Sequence, residues 1–262
     1  MQQLFHILMF IIGAIFGSFL CCQARRLHFR DSHKKANLAR RSICLHCKKQ
    51  LAWYDNIPII SWLILRGKCR QCHHKIGIAE LLSEILLAIS FLAISFTINI
   101  NNADWVEWSI LIVVLLFTII VYFLAIYDGL YGELPSMLLY IIQIIAIIIA
   151  VLRQLTDQTS FQPILMSFAG GGILGGIYLI LFLVSKGKWV GDGDWLLALA
   201  IGLALGSPWL AVIALFVANV SATFIMYPII KKSKNHQLHF GPFLVFAFII
   251  CYVFADFLNS ML

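Results

Sequence analysis

Eight apolar runs dominate the sequence, at roughly 4–22, 80–98, 109–127, 137–152, 163–184, 195–207, 209–230 and 240–258. A helix needs about 20 residues to cross ~30 Å of hydrocarbon, and most of these runs approach or exceed that length. In hydrocarbon the backbone must satisfy its own hydrogen bonds, so runs of this kind are expected to be helices. Only 12% of the 262 residues are charged and 61% are hydrophobic, against about 25% charged in soluble domains. A soluble globular domain, a disordered chain and a small disulfide scaffold are thereby excluded. The fold class expected is an all-α polytopic membrane protein with about eight transmembrane helices. The first run is not read as a cleavable signal peptide, because its positive charge follows the apolar stretch and no A-x-A-like site is present.

Charge gives the orientation. Of 19 Lys and Arg residues, 13 lie between Gln23 and Ala79. Short loops rich in Lys and Arg stay in the cytoplasm, so the 23–79 segment is expected inside and the N-terminus outside. The loop from Asn101 to Trp108 has Asp104 and Glu107 but no basic residue, as an external loop should. Lys186, Lys188, Lys231, Lys232 and Lys234 then fall inside, and Arg153 is the one basic residue placed outside. Eight spans satisfy this alternation with both termini external. Topology accounts for the basic cluster, so no nucleic-acid partner is expected.

Four of the seven cysteines form two pairs in the basic segment, Cys44-x2-Cys47 and Cys69-x2-Cys72. Zn²⁺ takes four tetrahedral ligands, and each C-x2-C turn offers two thiolates to one metal. The expectation is therefore a small cytoplasmic zinc-binding segment after the first helix. Two disulfides are the competing pattern, disfavoured in a reducing compartment. A four-thiolate site leaves no open coordination position, so its expected role is to fold a segment too small for its own core. His46, His73 and His74 are read as surplus surface histidines, and Cys21, Cys22 and Cys251 as small core residues.

Acids are scarce, which gives weight to those at span ends. Asp128 follows the third run in Tyr127-Asp128-Gly129, and Asp192 and Asp194 precede the sixth in Gly191-Asp192-Gly193-Asp194. The charge-derived topology places all three at the cytoplasmic boundary, where ionisable groups are functional candidates. Two facing carboxyl groups can share one proton, so that one draws a proton from water while the other donates to a scissile carbonyl. That is aspartic peptide hydrolysis. Solvated loop acids, or carboxylates complementing a helix N-terminus, are the plainer alternatives. Gly172-x3-Gly176 and Gly202-x3-Gly206 read as helix-packing surfaces, the tryptophans near span ends (Trp105, Trp108, Trp189, Trp195 and Trp209) as interfacial belts, and Pro208 as a turn between spans.

With these constellations located, the chain resembles the bacterial type IV prepilin peptidases, often bifunctional leader peptidase/N-methyltransferases. The resemblance runs from Gly17-Ser18-Phe19-Leu20 through the four cysteines and the segment Asp55-Asn56-Ile57-Pro58-Ile59-Ile60-Ser61-Trp62. It continues through Arg66-Gly67-Lys68-Cys69-Arg70 and Glu80-Leu81-Leu82, the aspartate segments and Phe240-Gly241-Pro242-Phe243. It implies that Asp128, seven residues before Pro135, and Asp194, at the end of G-x-G-D, are the catalytic aspartates, with Asp192 at the variable position. Ser136, Leu196 and Cys21 depart from the family pattern; the first two leave the dyad intact, and the third lies in the half that the family associates with methyl transfer.

The resemblance implies division into a first transmembrane helix (1–22), a basic zinc-binding segment linked to methyl transfer (23–79) and a membrane aspartyl peptidase domain (80–262). It implies type IV prepilin and pseudopilin substrates, with S-adenosylmethionine as methyl donor at residues that no spacing identifies. The location implied is the bacterial inner membrane, within the bilayer, with the active site facing the cytoplasm. Asp192, Glu80 and Glu133 are candidate contacts for the basic leader. Three alternatives stand beside this reading: a peptidase without methyl transfer, a cation-coupled transporter with a zinc-binding regulatory segment, and a binding-only homologue.

Overall fold

The computed structural model describes residues 1–31, 42–44, 46–156, 161–187, 190–232 and 239–260. Lys188, Trp189 and Lys234, used in the charge and aromatic arguments, lie outside the described residues. In chain order the helices are α1 (Gln2–Asp31), α2 (Ile60–Ile64), α3 (Ile78–Ser95), α4 (Trp105–Tyr131), α5 (Ser136–Thr156), α6 (Gln162–Ser185), α7 (Asp194–Leu205), α8 (Pro208–Lys232), α9 (Gly241–Val253) and α10 (Ala255–Asn259). Among the described residues there is no strand, only two isolated bridges, Ile43 with Gln50 and Lys68 with Lys75.

Each apolar run forms a helix, but among the described residues six (α1, α3, α4, α5, α6 and α8) are long and apolar enough to cross a membrane. Helices α7 and α9 have 12 and 13 residues, about 18–20 Å at 1.5 Å per residue. Helix α5 is longer than its apolar run, because Arg153, Gln154 and Thr156 continue it past residue 152. The last run breaks at Phe254, between α9 and α10.

The chain forms two compact units, Met1–Ser95 and Phe96–Leu262. In the first, α1 packs along α3. The approach is close because α1 presents glycines: a Cβ on Gly13 would lie 2.7 Å from the Leu87 carbonyl, and one on Gly17 2.5 Å from that of Ser83. The Ser83 hydroxyl donates to the Gly17 carbonyl at 3.2 Å. In the same unit His6 Nδ1 and Ser95 Oγ, both buried, lie 2.8 Å apart.

In the second unit α7 is the central helix, packed against α5, α6, α8 and α9. Its contact with α6 corrects the expected glycine surface. Gly172 and Gly176 face open space, and the contact is made by Gly170, Gly171 and Gly175. A Cβ on Gly175 would lie 2.7 Å from Leu199 Cβ, and one on Gly202 2.5 Å from the Gly170 carbonyl. Gly206, expected to share a packing face with Gly202, instead ends α7 in the left-handed conformation, at φ 75°. Pro208 then opens α8, so the chain does turn there. Cys21 and Cys251 are buried free thiols and Cys22 is half-buried.

Candidate functional site

The first constellation lies in the Met1–Ser95 unit. Cys44 and Cys69 each open the same turn. The Cys44 N–H donates to the Lys49 carbonyl and the Lys48 N–H returns to that of Cys44; Cys69, His74 and His73 repeat the pattern, all four bonds being 2.9 Å. Lys48 and His73 both take positive φ, 58° and 54°. The two turns gather the Sγ atoms of Cys44, Cys47, Cys69 and Cys72 within 4.8 Å of one another, and Cys44 Sγ lies 3.8 Å from Cys72 Sγ. Four sulfurs at about 2.3 Å from one zinc ion would stand about 3.8 Å apart. All four thiols are free, so the disulfide pattern is not formed, and the donor set suits zinc. His46 and His74 stack on each other, ring centroids 4.3 Å apart.

Beside this cluster the same unit holds a half-open cavity of about 560 Å³, lined by Ser18, Arg25, Asp55, Trp62, Glu80 and Glu84 among others. It is here that several segments of the resemblance meet. Glu84 accepts the N–H of Ile59 at 2.6 Å, holding a residue at φ 62° where β-branched side chains are strained. Glu80 is ion-paired with Arg25, so as a leader contact it is already committed. Arg70 Nε donates to Asp55 Oδ1 at 2.8 Å. Gly67, at φ 65°, lies under the Trp62 ring, which a Cβ would meet at 2.7 Å. Two buried polar atoms of this cavity's lining, Trp62 Nε1 and Glu80 Oε2, lack a hydrogen-bond partner among the described residues.

The second constellation lies in the Phe96–Leu262 unit. Asp128 occupies the last turn of α4, which Gly132 ends at φ 70° with its N–H on the Asp128 carbonyl. Asp194 opens α7, and its Oδ2 accepts the Gly191 N–H at 2.8 Å. The two turns pack on each other: a Cβ on Gly193 would lie 2.7 Å from Leu134 Cβ. Both carboxylates are buried, 5% and 4% exposed, and Asp128 lies within electrostatic reach of Asp194. Asp192 and Glu133 are exposed. The Asp194–Gly191 bond is the local arrangement that a plain helix N-terminus would show; a second buried carboxylate within electrostatic reach is not.

Three further groups attend this pair, none identified from spacing. Gly241 N–H donates to Asp128 Oδ2 at 2.9 Å. His239 Nδ1 stands 3.6 Å from Asp128 Oδ1. Tyr178, wholly buried, lies within electrostatic reach of Asp194, accepts from Asn219 Nδ2 at 3.3 Å and meets the Phe240 ring edge-on. The signal for two of them was present, since His239 directly precedes Phe240-Gly241-Pro242-Phe243; Tyr178 sits in an all-apolar run and had none.

Comparison with known proteins finds one matching family model and several named relatives. The model of a family described as the bacterial peptidase A24 N-terminal domain matches residues 11–98. A prepilin leader peptidase/N-methyltransferase of Vibrio cholerae serotype O1 is 31% identical over 258 residues, 96% of this chain and 98% of the relative. One from Bacillus subtilis strain 168 is 27% identical over 255 residues, 95% and 94% of the two chains. A type 4 prepilin-like proteins leader peptide-processing enzyme of Escherichia coli O78:H11 is 31% identical over 206 residues, 77% of this chain and 71% of the relative. No solved structure matches the chain.

Proposed function

We propose that this chain, which belongs to the prepilin leader peptidase/N-methyltransferase family, removes the leader peptide of type IV prepilins and pseudopilins and N-methylates the terminus so exposed. The observation that carries the proteolytic half is the burial of Asp128 and Asp194 within electrostatic reach of each other, at adjoining helix ends of one unit. In the mechanism proposed, one carboxylate takes a proton from the attacking water while the other carboxyl donates to the scissile carbonyl. The Gly241 and Gly191 N–H groups hold one oxygen of each, which leaves the second oxygen of each for water or substrate. His239 Nδ1 faces that second oxygen of Asp128 at 3.6 Å, beyond direct hydrogen-bond length.

For methyl transfer we propose the Met1–Ser95 unit, which contains the 23–79 segment and the start of 80–262, with the dyad in the Phe96–Leu262 part of that peptidase segment. The Met1–Ser95 cavity of about 560 Å³ fits S-adenosylmethionine in size and in chemistry: the unpartnered Trp62 Nε1 can donate, and Glu80 Oε2, the oxygen left over from the Arg25 ion pair, can accept. When bound, the group supplies an electrophilic methyl on a sulfonium centre. The four cysteines hold zinc as a structural ion and take no part in either reaction.

The proposed setting is the bacterial inner membrane with eight spans, α7 and α9 included. Being enclosed by neighbouring helices, α7 need not match the hydrocarbon thickness that lipid imposes on an exposed helix. The Lys and Arg bias puts the dyad at the cytoplasmic face, where a basic leader ahead of an apolar helix would meet it.

The test is product mass. Purified protein with a prepilin should yield leader loss, and with S-adenosylmethionine a separate methyl gain. Asp128→Asn and Asp194→Asn should each reduce cleavage at least about a hundredfold, yet methylate a pre-cleaved pilin. Asp192→Asn should keep substantial cleavage. Normal cleavage by a folded Asp128→Asn or Asp194→Asn protein would overturn the dyad.

A further inference from the structure

The dyad occupies one end of the Phe96–Leu262 helices: the last turn of α4 and the first turns of α7 and α9. At the opposite end, where α4 begins and α5, α7 and α9 finish, lies a second cavity, of about 600 Å³. Its lining includes Asn99, Glu107, Arg153, Ser207, Tyr252 and Asp256. Arg153 is the basic residue that the charge pattern set apart from the rest. Its guanidinium lies over the Tyr252 ring, 5.8 Å from the centroid, and against Gly206, where any Cβ would collide with it. One of its nitrogens, Nη1, is buried and has no hydrogen-bond partner among the described residues.

A guanidinium at the C-terminal end of α7 is favoured by the helix dipole. Neither the dipole nor the Tyr252 side chain, which hydrogen-bonds the guanidinium, accounts for the buried Nη1, since leaving a charged donor atom unpaired is costly. Nor does the dipole account for Glu107 and Asp256, which line the cavity yet are exposed, neither in ion-pair contact with Arg153 among the described residues. The cavity therefore offers one cationic donor at depth and two carboxylates toward its mouth. Trp105 and Trp209, 69% and 42% exposed, mark this end of the bundle as a bilayer interface.

We propose that this cavity binds a phosphoethanolamine headgroup, its phosphate oxygens accepting from Arg153 and its ammonium held by Glu107 and Asp256. The charge order suits a zwitterion: an anion alone would meet two carboxylates at the mouth, and a cation alone would meet the guanidinium inside. A membrane lipid is the source the interface position favours, and a free headgroup is the other source of the same chemistry.

The test uses delipidated full-length protein in detergent, read by native mass spectrometry and thermal unfolding. Phosphatidylethanolamine should bind and raise the unfolding midpoint, and phosphatidylglycerol should bind more weakly. Arg153→Gln and Glu107→Gln should each weaken phosphatidylethanolamine binding about tenfold. Glu107→Gln should also narrow the difference between the two lipids. Its exposed side chain keeps the test decisive if Arg153→Gln does not fold. Competition by glycerophosphoethanolamine as strong as that by the lipid assigns the site to a free headgroup; weak competition assigns it to the lipid. Equal binding of the two lipids by the unsubstituted protein, or phosphatidylethanolamine binding unchanged in Glu107→Gln, overturns the proposal.

Discussion

Gly241 shows how little room the candidate dyad leaves. Its N–H bonds Asp128 Oδ2, and a Cβ there would lie 2.8 Å from that oxygen and 3.3 Å from Asp128 Cβ. Gly241→Ala should therefore displace the carboxylate while α9 keeps its hydrogen bonds, since alanine is a better helix former than glycine. The expected outcome is a fall in the cleavage rate constant of up to about a hundredfold, the scale set by misplacing a reacting group by an ångström. The unfolding midpoint should stay near that of the unsubstituted protein. Steady-state cleavage together with a thermal melt checks both halves, and unchanged cleavage would remove Gly241 from the site. Asp192, one residue from Gly193 and two from Asp194, is exposed. Proximity in sequence does not carry it to the pair.

The glycines of α6 supply the sharpest test of an element. Gly171 and Gly175 press on α7, whereas Gly172 and Gly176, one residue along, have nothing within 4 Å. Gly175→Ala should lower the unfolding midpoint, because its Cβ would fall on Leu199 Cβ and backbone rather than on a side-chain tip that can turn away. Gly176→Ala should leave the midpoint level or raise it. Equal behaviour of the two would refute the packing. The spacing i, i+4 was legible in the sequence for both pairs, but it says only that two residues share a face. In a soluble helix the apolar stripe would pick the inward face; α6 is apolar on all sides, since lipid and protein neighbours are equally apolar.

The twin cysteine turns are the other element with a measurable consequence. Neither turn has a hydrophobic core of its own, and structural zinc sites of this kind contribute about 10–16 kcal/mol of folding free energy in isolated peptides. About one zinc ion per chain is expected by metal analysis. Cys44→Ser or Cys69→Ser should lower that content and open the 42–76 region to proteolysis. Activity should follow the folding of the segment. A quadruple serine variant that is zinc-free, folded and fully active would refute a structural role.

For the molecule as a whole, the two-unit division predicts separable activities. Trp62→Phe removes the unpartnered Nε1 donor in the Met1–Ser95 cavity and keeps most of the ring's volume. It should reduce methyl gain and leave leader loss intact, whereas Asp128→Asn should do the reverse. Simultaneous loss of both activities in folded Trp62→Phe protein would argue against a methyl-donor site there. Orientation belongs to this scale too. Cysteine labels or reporter fusions near residues 30–75, near Asp128 and near Asp194 should all report the cytoplasm; an external report at either aspartate would end the proposed mechanism.

Hydropathy and local spacing, by themselves, determined that the chain is helical and apolar along its length. They paired the four cysteines and put Asp128 and Asp194 at helix ends. These are properties of stretches a few residues to some twenty residues long, and such stretches carry their own hydrogen-bonding and ligand geometry. Only the tertiary structure decided which glycine face of α6 meets α7, and that His239, Gly241 and Tyr178 attend the aspartates. It also decided that Trp62 and Glu80 line one cavity and that the Arg153 guanidinium lies over Tyr252 in another. Each of those depends on where two distant segments meet. In a chain whose helices are apolar on every side, no amphipathic stripe tells one segment which way to face another, so the choice falls to shape: the glycines that let backbones close, and the few polar groups that must find partners.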